Sequence, residues 1–283
     1  MQNDDATLRT LLALRAQNQR IAGYHARQEI ERLQAAAARD PKRLEPFGFK
    51  VYSQNDEDGI VEEIFRRLGI ETGRFVEIGV QNGLECNSLY LLHKGWRGVW
   101  LEGNIGQRGP IESKFGEILG RRLQVGWGYI SRDTINHVFR GMGADDDVDF
   151  LSIDIDGMDI YLLEALTSRP KVICIEYNAK WPAHLAKTPV YNGELRWTGT
   201  DYMGSSLKAM AEVAAAKGYR LVGTNLTGAN AFFVRADLAA DLFPDPATPE
   251  ALHNPPRYWL WSDHYVNIGH RADFGPYVDL QAD

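Results

Sequence analysis

The chain has 283 residues, of which 44% are hydrophobic, and it carries a net charge of −7. This length and composition suffice for one large α/β domain with an appendage, so a second full domain is not required. The negative charge argues against a general nucleic-acid-binding protein, because such proteins use basic surface to displace counterions.

The cysteine content indicates a reducing environment. Cys86 and Cys174 are the two cysteines of the chain, and neither has the neighbours of a metal site or a CxxC motif. The start of the sequence is polar and acidic, and no apolar stretch approaches about 18 residues, so we expect neither a signal peptide nor a membrane span. These observations predict a cytoplasmic protein.

The first segment predicts helical structure. Residues 6–38 are rich in Ala, Leu, Arg and Gln, which favours one long helix or two shorter ones. The apolar positions form a stripe but do not keep a strict heptad; they are Leu8, Leu11, Leu12, Leu14, Ile21, Ile30 and Leu33. We interpret residues 1–45 as a helical arm that packs on the domain or forms a homo-oligomer contact. A solvated helix lying on the domain is the alternative.

Residues 74–104 predict a strand, a glycine loop, a helix and a second strand. The apolar run 75–80 contains Glu77 and breaks into a turn with Gly79 and Gly83, and Glu102 closes the second run. A dinucleotide loop reads G-x-G-x-x-G, whereas this loop reads E-x-G-x-x-x-G and lacks the glycine pair that lets backbone approach a pyrophosphate. A ligand without phosphate fits better. An ordinary β-α-β unit is the structural alternative.

The middle of the chain predicts further strands that end in polar residues. Residues 84–94 and 135–142 have helical spacing, and residues 123–130 predict a third strand ending at Ser131. A buried strand over 150–155 carries Asp154 and Asp156 on one face, and the strand 172–175 runs into Glu176, Tyr177 and Asn178. Ligands bind at the carboxyl ends of parallel strands, so these acids are expected to face one crevice.

Two interpretations of these acids stay open. In the first, one of Asp154 and Asp156, with Asp156 preferred, joins Glu176 and Asn178 as a ligand of Mg²⁺, which would hold two substrate hydroxyls and lower the pKa of one. In the second, Asp154 or Asp156 acts directly as a general base on a hydroxyl or an amine. A structural role in capping the next helix is the alternative for Asp154 or Asp159.

The last third predicts a cover for the site and the end of the sheet. Residues 181–200 are loop-like and aromatic, which suits a substrate lid. Residues 202–217 predict a helix, followed by an antiparallel pair over 219–223 and 230–234. The tail 241–283 is rich in Pro and Trp, and we expect it to cover the site. Its His264 is a candidate base.

Several motifs together resemble one family over residues 50–237: SQNDEDG, FVEIGVQNGLECNS, GWRGVWLEGN, SIDIDGMD, IEYN, YMGSSL and NAFFVR. They are similar to the FkbM-like branch of class I S-adenosylmethionine-dependent methyltransferases. The resemblance implies an α/β Rossmann-like domain over residues 46–240, with a mostly parallel sheet, an antiparallel last strand and helices on both faces. It also implies O-methylation of a sugar, a glycan or a natural-product hydroxyl.

The resemblance also implies roles for individual residues. Gly79 and Gly83 would let the loop pass close to the methionine part of S-adenosylmethionine, Glu77 would anchor the loop or the amino group, and Glu102 would accept both ribose hydroxyls. Adenine would lie beside Ile130 and Ser131. The remaining cofactor positions are Ser88 and Asp154, and Gln54 and Asp58 are expected to lie at the pocket.

Three other functions stay open. An N-methyltransferase would differ only in its acceptor, and an NAD-linked enzyme would use the glycine loop in an atypical way. A non-catalytic binding protein would keep the fold without the cofactor. The expected partners are a small-molecule or glycan acceptor and no nucleic acid.

Overall fold

The computed structural model describes residues 2–195 and 197–261 of the chain. Its helices are α1 (Gln2–Ala37), α2 (Glu57–Leu68), α3 (Leu89–His93), α4 (Arg108–Phe115), α5 (Ile135–Gly141), α6 (Asp159–Ala165), α7 (Leu207–Ala216), α8 (Ala236–Ala239) and α9 (Pro249–Leu252). Its strands are β1 (Arg74–Ile78), β2 (Arg97–Glu102), β3 (Leu123–Trp127), β4 (Phe150–Ile153), β5 (Val172–Glu176), β6 (Tyr219–Thr224) and β7 (Asn230–Arg235). Within this part of the chain, no helix combines the length and the apolar character that a membrane crossing needs.

The strands form one sheet in the order β3-β2-β1-β4-β5-β7-β6. The first five are parallel to their neighbours, and β7 runs antiparallel between β5 and β6. This arrangement confirms the predicted Rossmann-like sheet with its antiparallel last strand. The strand order reverses between β1 and β4, and a crevice opens at the carboxyl ends of strands at such a point.

Alternating side chains divide the core between the two faces of the sheet. Val76 and Ile78 of β1 belong to the cluster that includes buried residues of α5, α6 and α7. Phe75, their neighbour on the opposite face, belongs to the cluster that includes buried residues of α2, α3 and α4. Helices therefore cover both faces, as predicted, and the buried strands hold their carboxyl ends in fixed positions.

Helix α1 is one continuous helix of 36 residues, which matches one of the two predicted forms of the arm. Its residues 6–18 are all exposed, whereas Ala26 and Ile30 are buried against the body of the protein. Ile30 packs with Leu226 and with Leu260, which lies in the short 3₁₀ helix Tyr258–Leu260. The second half of α1 is therefore docked, and the first half is not.

Several predicted elements are shorter in the structure, among them the helix predicted over 202–217, which spans Leu207–Ala216, and the strand predicted over 150–155, which spans Phe150–Ile153. Two further differences have a visible cause. The helix predicted over 84–94 spans Leu89–His93, because the N–H groups of Asn87 and Ser88 donate to the carboxylate of Glu77 instead of continuing a helix. The strand predicted over 123–130 ends at Trp127, since Gly128 has a φ of 134°. Both corrections lie beside the carboxyl ends of β1, β2 and β3.

Candidate functional site

A cavity of about 540 Å³ lies at the carboxyl ends of β1, β2, β4 and β5. Its wall includes Gly79, Glu102, Asp154 and Glu176, which end or follow these four strands. A volume of this size is typical of a small-molecule site. The position is the one that the reversal of strand order predicts.

The loop after β1 approaches β4 closely at Gly79. This residue has a φ of 87°, and a Cβ atom there would lie 1.7 Å from the carbonyl oxygen of Asp154. Only glycine combines this positive φ with so close a backbone contact. The next loop residues turn toward the cavity, and Gln81 also has a positive φ, of 48°.

Glu102 closes β2 at the wall of the cavity. Its Oε2 accepts a hydrogen bond from the N–H of Gln81 at 2.7 Å, and its Oε1 accepts one from the N–H of Asn104 at 2.6 Å. These two bonds fix the carboxylate, which is 6% exposed and lines the cavity. A carboxylate has about four lone-pair positions, so about two remain for a ligand. Sequence reasoning missed Gln81 and Asn104, whose contribution is backbone N–H and leaves no pattern in the sequence.

Three other predicted cofactor residues lie behind the wall. Glu77 is buried and accepts hydrogen bonds from the N–H groups of Asn87 and Ser88 and from the Ser88 hydroxyl. Ser88 also accepts a hydrogen bond from Nε1 of Trp100 at 2.9 Å. Gly83 packs against Trp100, which a Cβ atom would approach at 2.6 Å. These three residues shape the loop and do not line the cavity.

The segment after β3 supplies another part of the wall. Ile130 and Ser131 both line the cavity, as does Tyr129, whose ring packs on Gly103. The N–H of Ser131 donates to the hydroxyl of Thr134 at 2.9 Å, so the turn before α5 is held in place. Tyr129 was not predictable from the sequence, because one tyrosine at a strand end has many structural uses.

Three carboxylates meet on the side of the cavity formed by β4 and β5. One oxygen from each of Asp154, Asp156 and Glu176 can be chosen so that all three lie within 4.8 Å of one another. Oε2 of Glu176 is buried and accepts no hydrogen bond from any described residue. Asp156 adopts a φ of 59°, a positive value that is uncommon outside glycine. Backbone strain of this kind concentrates at functional sites.

The pKa values of all three acids are raised, and burial is the largest cause for each. Burial, then the charges of Asp159 and Asp156, raise the pKa of Asp154 well above its usual range. Burial, and then the charge of Asp154, also raise the pKa of Glu176 well above its usual range. Within the described residues no lysine or arginine forms an ion pair with these three acids. Such a group must hold protons or a cation, because adjacent carboxylates do not all stay ionised unpaired.

The predicted ligand Asn178 does not join this group. Its Nδ2 donates to the carbonyl oxygens of Asp201 and Met203, and its Oδ1 accepts from the N–H of Lys180. Asp159 is also engaged, since its carboxylate accepts from the N–H groups of Ile155 and Gly157. Asp154, which we predicted as a catalytic and cofactor residue, takes the third place in the cluster instead. His264 lies outside the described residues.

Aromatic side chains close the remaining side of the cavity. Tyr191 and Trp197 from the predicted lid line it, together with Tyr258 and Trp261 from the predicted covering tail. The guanidinium of Arg132 lies 4.0 Å from the centre of the Tyr191 ring, so the lid touches the segment after β3. The aromatic content of both segments was the signal that predicted this cover.

The segment before α2 forms one rim. Gln54 and Asn55 line the cavity, as we predicted for Gln54, whereas Asp58 does not. Oδ2 of Asp58 instead accepts the N–H groups of Val51, Tyr52 and Ser53, and so it shapes the turn. Oε1 of Glu57 accepts the amides of Asn55, Asn225 and Asn230, which ties this rim to the turn between β6 and β7.

No protein-family model matches the sequence, and no curated protein matches it. Among solved structures, an O-methyltransferase from Bacillus cereus in complex with SAH is 18% identical, with a TM-score of 0.41, over 74% of this chain and 89% of that chain. A SAM-dependent methyltransferase from Aquifex aeolicus is 14% identical, with a TM-score of 0.38, over 74% of this chain and 97% of that chain. Similarity of this size carries no argument about activity, which has to be argued from the residues of the site.

Proposed function

We propose that this protein is an S-adenosylmethionine-dependent methyltransferase that acts on a hydroxyl group. One observation carries the proposal: the fixed carboxylate of Glu102 stands at the end of β2, beside the close approach of Gly79 to β4. Its two remaining acceptor positions suit the vicinal hydroxyls of a ribose. The loop lacks the G-x-G pair that lets backbone approach a pyrophosphate, and this favours S-adenosylmethionine over NAD.

The residues of the cavity would divide the work between cofactor and acceptor. Gly79, Glu102, Ile130 and Ser131 would bind and orient the cofactor, which supplies a reactive sulfonium methyl group. The acids on the opposite side would orient the acceptor hydroxyl and take up its proton. Orientation of this kind contributes about 7–11 kcal/mol to the lowering of a barrier. The aromatic wall would exclude water and stack on the face of a sugar or another ring.

The acid cluster fits a divalent metal. Asp154, Asp156 and Glu176 offer oxygen ligands, which favour Mg²⁺ over zinc, and the buried, unpartnered Oε2 of Glu176 would gain a partner. A metal held there would lower the pKa of an acceptor hydroxyl. Without a metal, an ionised acid of the cluster would take the proton directly. Before it does so, its charge raises the pKa values of its neighbours.

The first test is binding of S-adenosylhomocysteine, measured by titration calorimetry with NADH as the competing candidate. We expect wild-type protein to bind the nucleoside and Glu102→Ala to lose at least about a hundred-fold in affinity, because two hydrogen bonds to a charged group are removed. Glu102→Gln keeps one acceptor and should lose less. Glu112→Ala, an exposed acid on α4, is the control. Binding of NADH alone, or unchanged affinity in Glu102→Ala, would contradict the cofactor assignment.

The second test separates metal assistance from direct proton transfer. We expect Mn²⁺, followed by electron paramagnetic resonance, to bind wild-type protein and to bind Asp156→Asn and Glu176→Gln at least about ten-fold more weakly, since affinity depends on the charge of the ligands. Asp133→Asn, an exposed acid near the cavity, is the control. Full turnover in EDTA together with no Mn²⁺ binding would select the direct-base mechanism.

An amine acceptor is the second candidate function. The three acids would pair with an ammonium group, and Tyr191, Trp197 and Tyr258 could contact the same cation through their ring faces. An aliphatic diamine that binds tightly only in the absence of divalent metal would favour this acceptor over a hydroxyl.

A further inference from the structure

The first half of helix α1 exposes large apolar side chains. Leu11, Leu14 and Ile21 are 58%, 51% and 49% exposed. Large apolar side chains that recur along one helix and stay exposed indicate an interaction surface. Most of the stability of a helix in a protein comes from packing of its apolar face, so a partner would stabilise this half of α1.

One line of exposed residues follows the spacing of a coiled coil, and the exposed leucines Leu8 and Leu12 lie beside this line. Steps of four and three residues alternate along one line of the helix, which consists of Thr7, Leu11, Leu14, Asn18, Ile21 and His25. All six are exposed. In heptad notation Leu11, Asn18 and His25 occupy position a, and the other three occupy position d. We call these six residues the seam.

The seam lies on a different side of the helix from the docked residues. Ala26, Ile30 and Leu33 contact the body, and at about 100° per residue they lie about 100° around the helix from the seam. The body therefore leaves the seam open. The next seam positions would be Gln28 and Arg32, so the apolar line ends where the helix docks.

We propose that α1 forms a homodimer, in which the seams of two copies pair as a parallel two-stranded coiled coil. The partner is a second copy of the chain, because the residues of the seam can pair with the same residues of another copy. Asn18 would face its own counterpart, and two amides can donate to and accept from each other. A single asparagine at position a also favours two parallel strands over other assemblies.

The flanking positions are compatible with this pairing. In a parallel dimer, position g of one helix lies beside position e of the next heptad in the other helix. Thr10 would therefore lie beside Arg15 of the partner, and Gln17 would lie beside Ala22 of the partner. Neither pair opposes like charges. Arg9 and Arg20 occupy outer positions, where they stay in water.

The first experiment measures the mass in solution by sedimentation velocity over a roughly hundred-fold range of protein concentration. We expect a dimer that dissociates on dilution, and in the double variant Leu11→Glu, Leu14→Glu a dissociation constant at least about thirty-fold higher. The double variant Ala13→Glu, Ala16→Glu adds the same charge on the outer side and should remain dimeric. A wild-type monomer at every concentration, or equal dissociation of both variants, would overturn the proposal. A melting curve of each variant checks that the body is folded.

The second experiment tests the direction of the pairing. Leu14→Cys and Ile21→Cys, made separately, should each form a disulfide between copies on mild oxidation, because each position faces its own counterpart only in a parallel seam. Cys86 and Cys174 are buried and do not compete. Cross-linking at one position alone indicates antiparallel helices and overturns the parallel seam. Cross-linking at neither position overturns the pairing.

The third experiment tests Asn18. Leucine at position a with isoleucine at position d favours three or four strands, and the asparagine opposes this. Asn18→Leu should therefore tighten the assembly and shift its mass toward three or four chains. A dimer with unchanged mass and unchanged dissociation would remove Asn18 from the interface and overturn the seam.

Discussion

Asp56 is an acid with almost no access to water. It is 0% exposed, its Oδ2 accepts the N–H of Leu226 at 3.3 Å, and its Oδ1 has no partner among the described residues. Burial, and then the neighbouring charge of Glu57, raise the pKa of Asp56 to about 8. At neutral pH the folded protein therefore keeps a proton on this side chain.

This proton makes stability depend on pH. An aspartate in the unfolded chain ionises near pH 4, so folded protein binds the extra proton between about pH 4 and about pH 8. The stability that comes from this proton is complete below about pH 4. It is lost progressively as the pH rises, and none of it remains above about pH 8. We expect the melting temperature of wild-type protein to fall by several degrees between about pH 6 and about pH 9, and that of Asp56→Asn to fall less.

Asp146→Asn, which changes an exposed acid, should follow the wild-type curve. Parallel curves of melting temperature against pH for Asp56→Asn and wild type would show that Asp56 ionises normally. Circular dichroism at each pH supplies the measurement.

A residue of the site was predictable where it ends or follows a strand, because the strand then places its side chain at the edge of the sheet. Glu102, Asp154 and Glu176 follow from that rule. Asn178 does not, because β5 ends at Glu176 and the backbone carbonyl oxygens of Asp201 and Met203 take its amide. The partners of a side chain beyond the strand depend on loops distant in sequence, which a local pattern cannot supply.

At the scale of elements, the glycine loop after β1 is the most constrained connection in the site. The apolar pattern predicted its strand and its turn, but it overestimated the next helix. Residues before Leu89 stay in turns because Glu77, buried in β1, accepts their N–H groups. A buried carboxylate that competes with helical hydrogen bonds is invisible in the spacing of apolar residues.

Gly79→Ala should reveal this constraint. The new Cβ would meet the Asp154 carbonyl in a backbone that already has positive φ, so we expect a loss of about 3 kcal/mol or more in the free energy of unfolding. Gly69→Ala is the matched control, since Gly69 has a φ of 69° and nothing within 4 Å of the added atom.

The control should lose only about 1–2 kcal/mol, the strain of a left-handed alanine. Urea denaturation gives both values. Equal losses would mean that the loop moves away from β4 without difficulty, and the tight approach would then have no role in shaping this side of the cavity.

At the scale of the whole molecule, the order of elements predicted the sheet well. Strands that alternate with helices favour a parallel sheet, and the final close pair of strands predicted the antiparallel end. The arm was harder, because two apolar lines share one helix: Ile30 and Leu33 face the body, and the seam faces outward. Only the folded structure shows which of the two lines faces the body of the protein.

The docked half of α1 has a mechanical consequence. Ile30 and Leu33 rest on Leu260 and Trp261, and Trp261 is also part of the aromatic wall of the cavity. A rotation or lift of this helix would reach the pocket through this one layer of side chains. Since the proposed dimer would dissociate on dilution, ligand affinities measured at low and at high protein concentration would then differ, and protein concentration belongs among the variables of any binding assay.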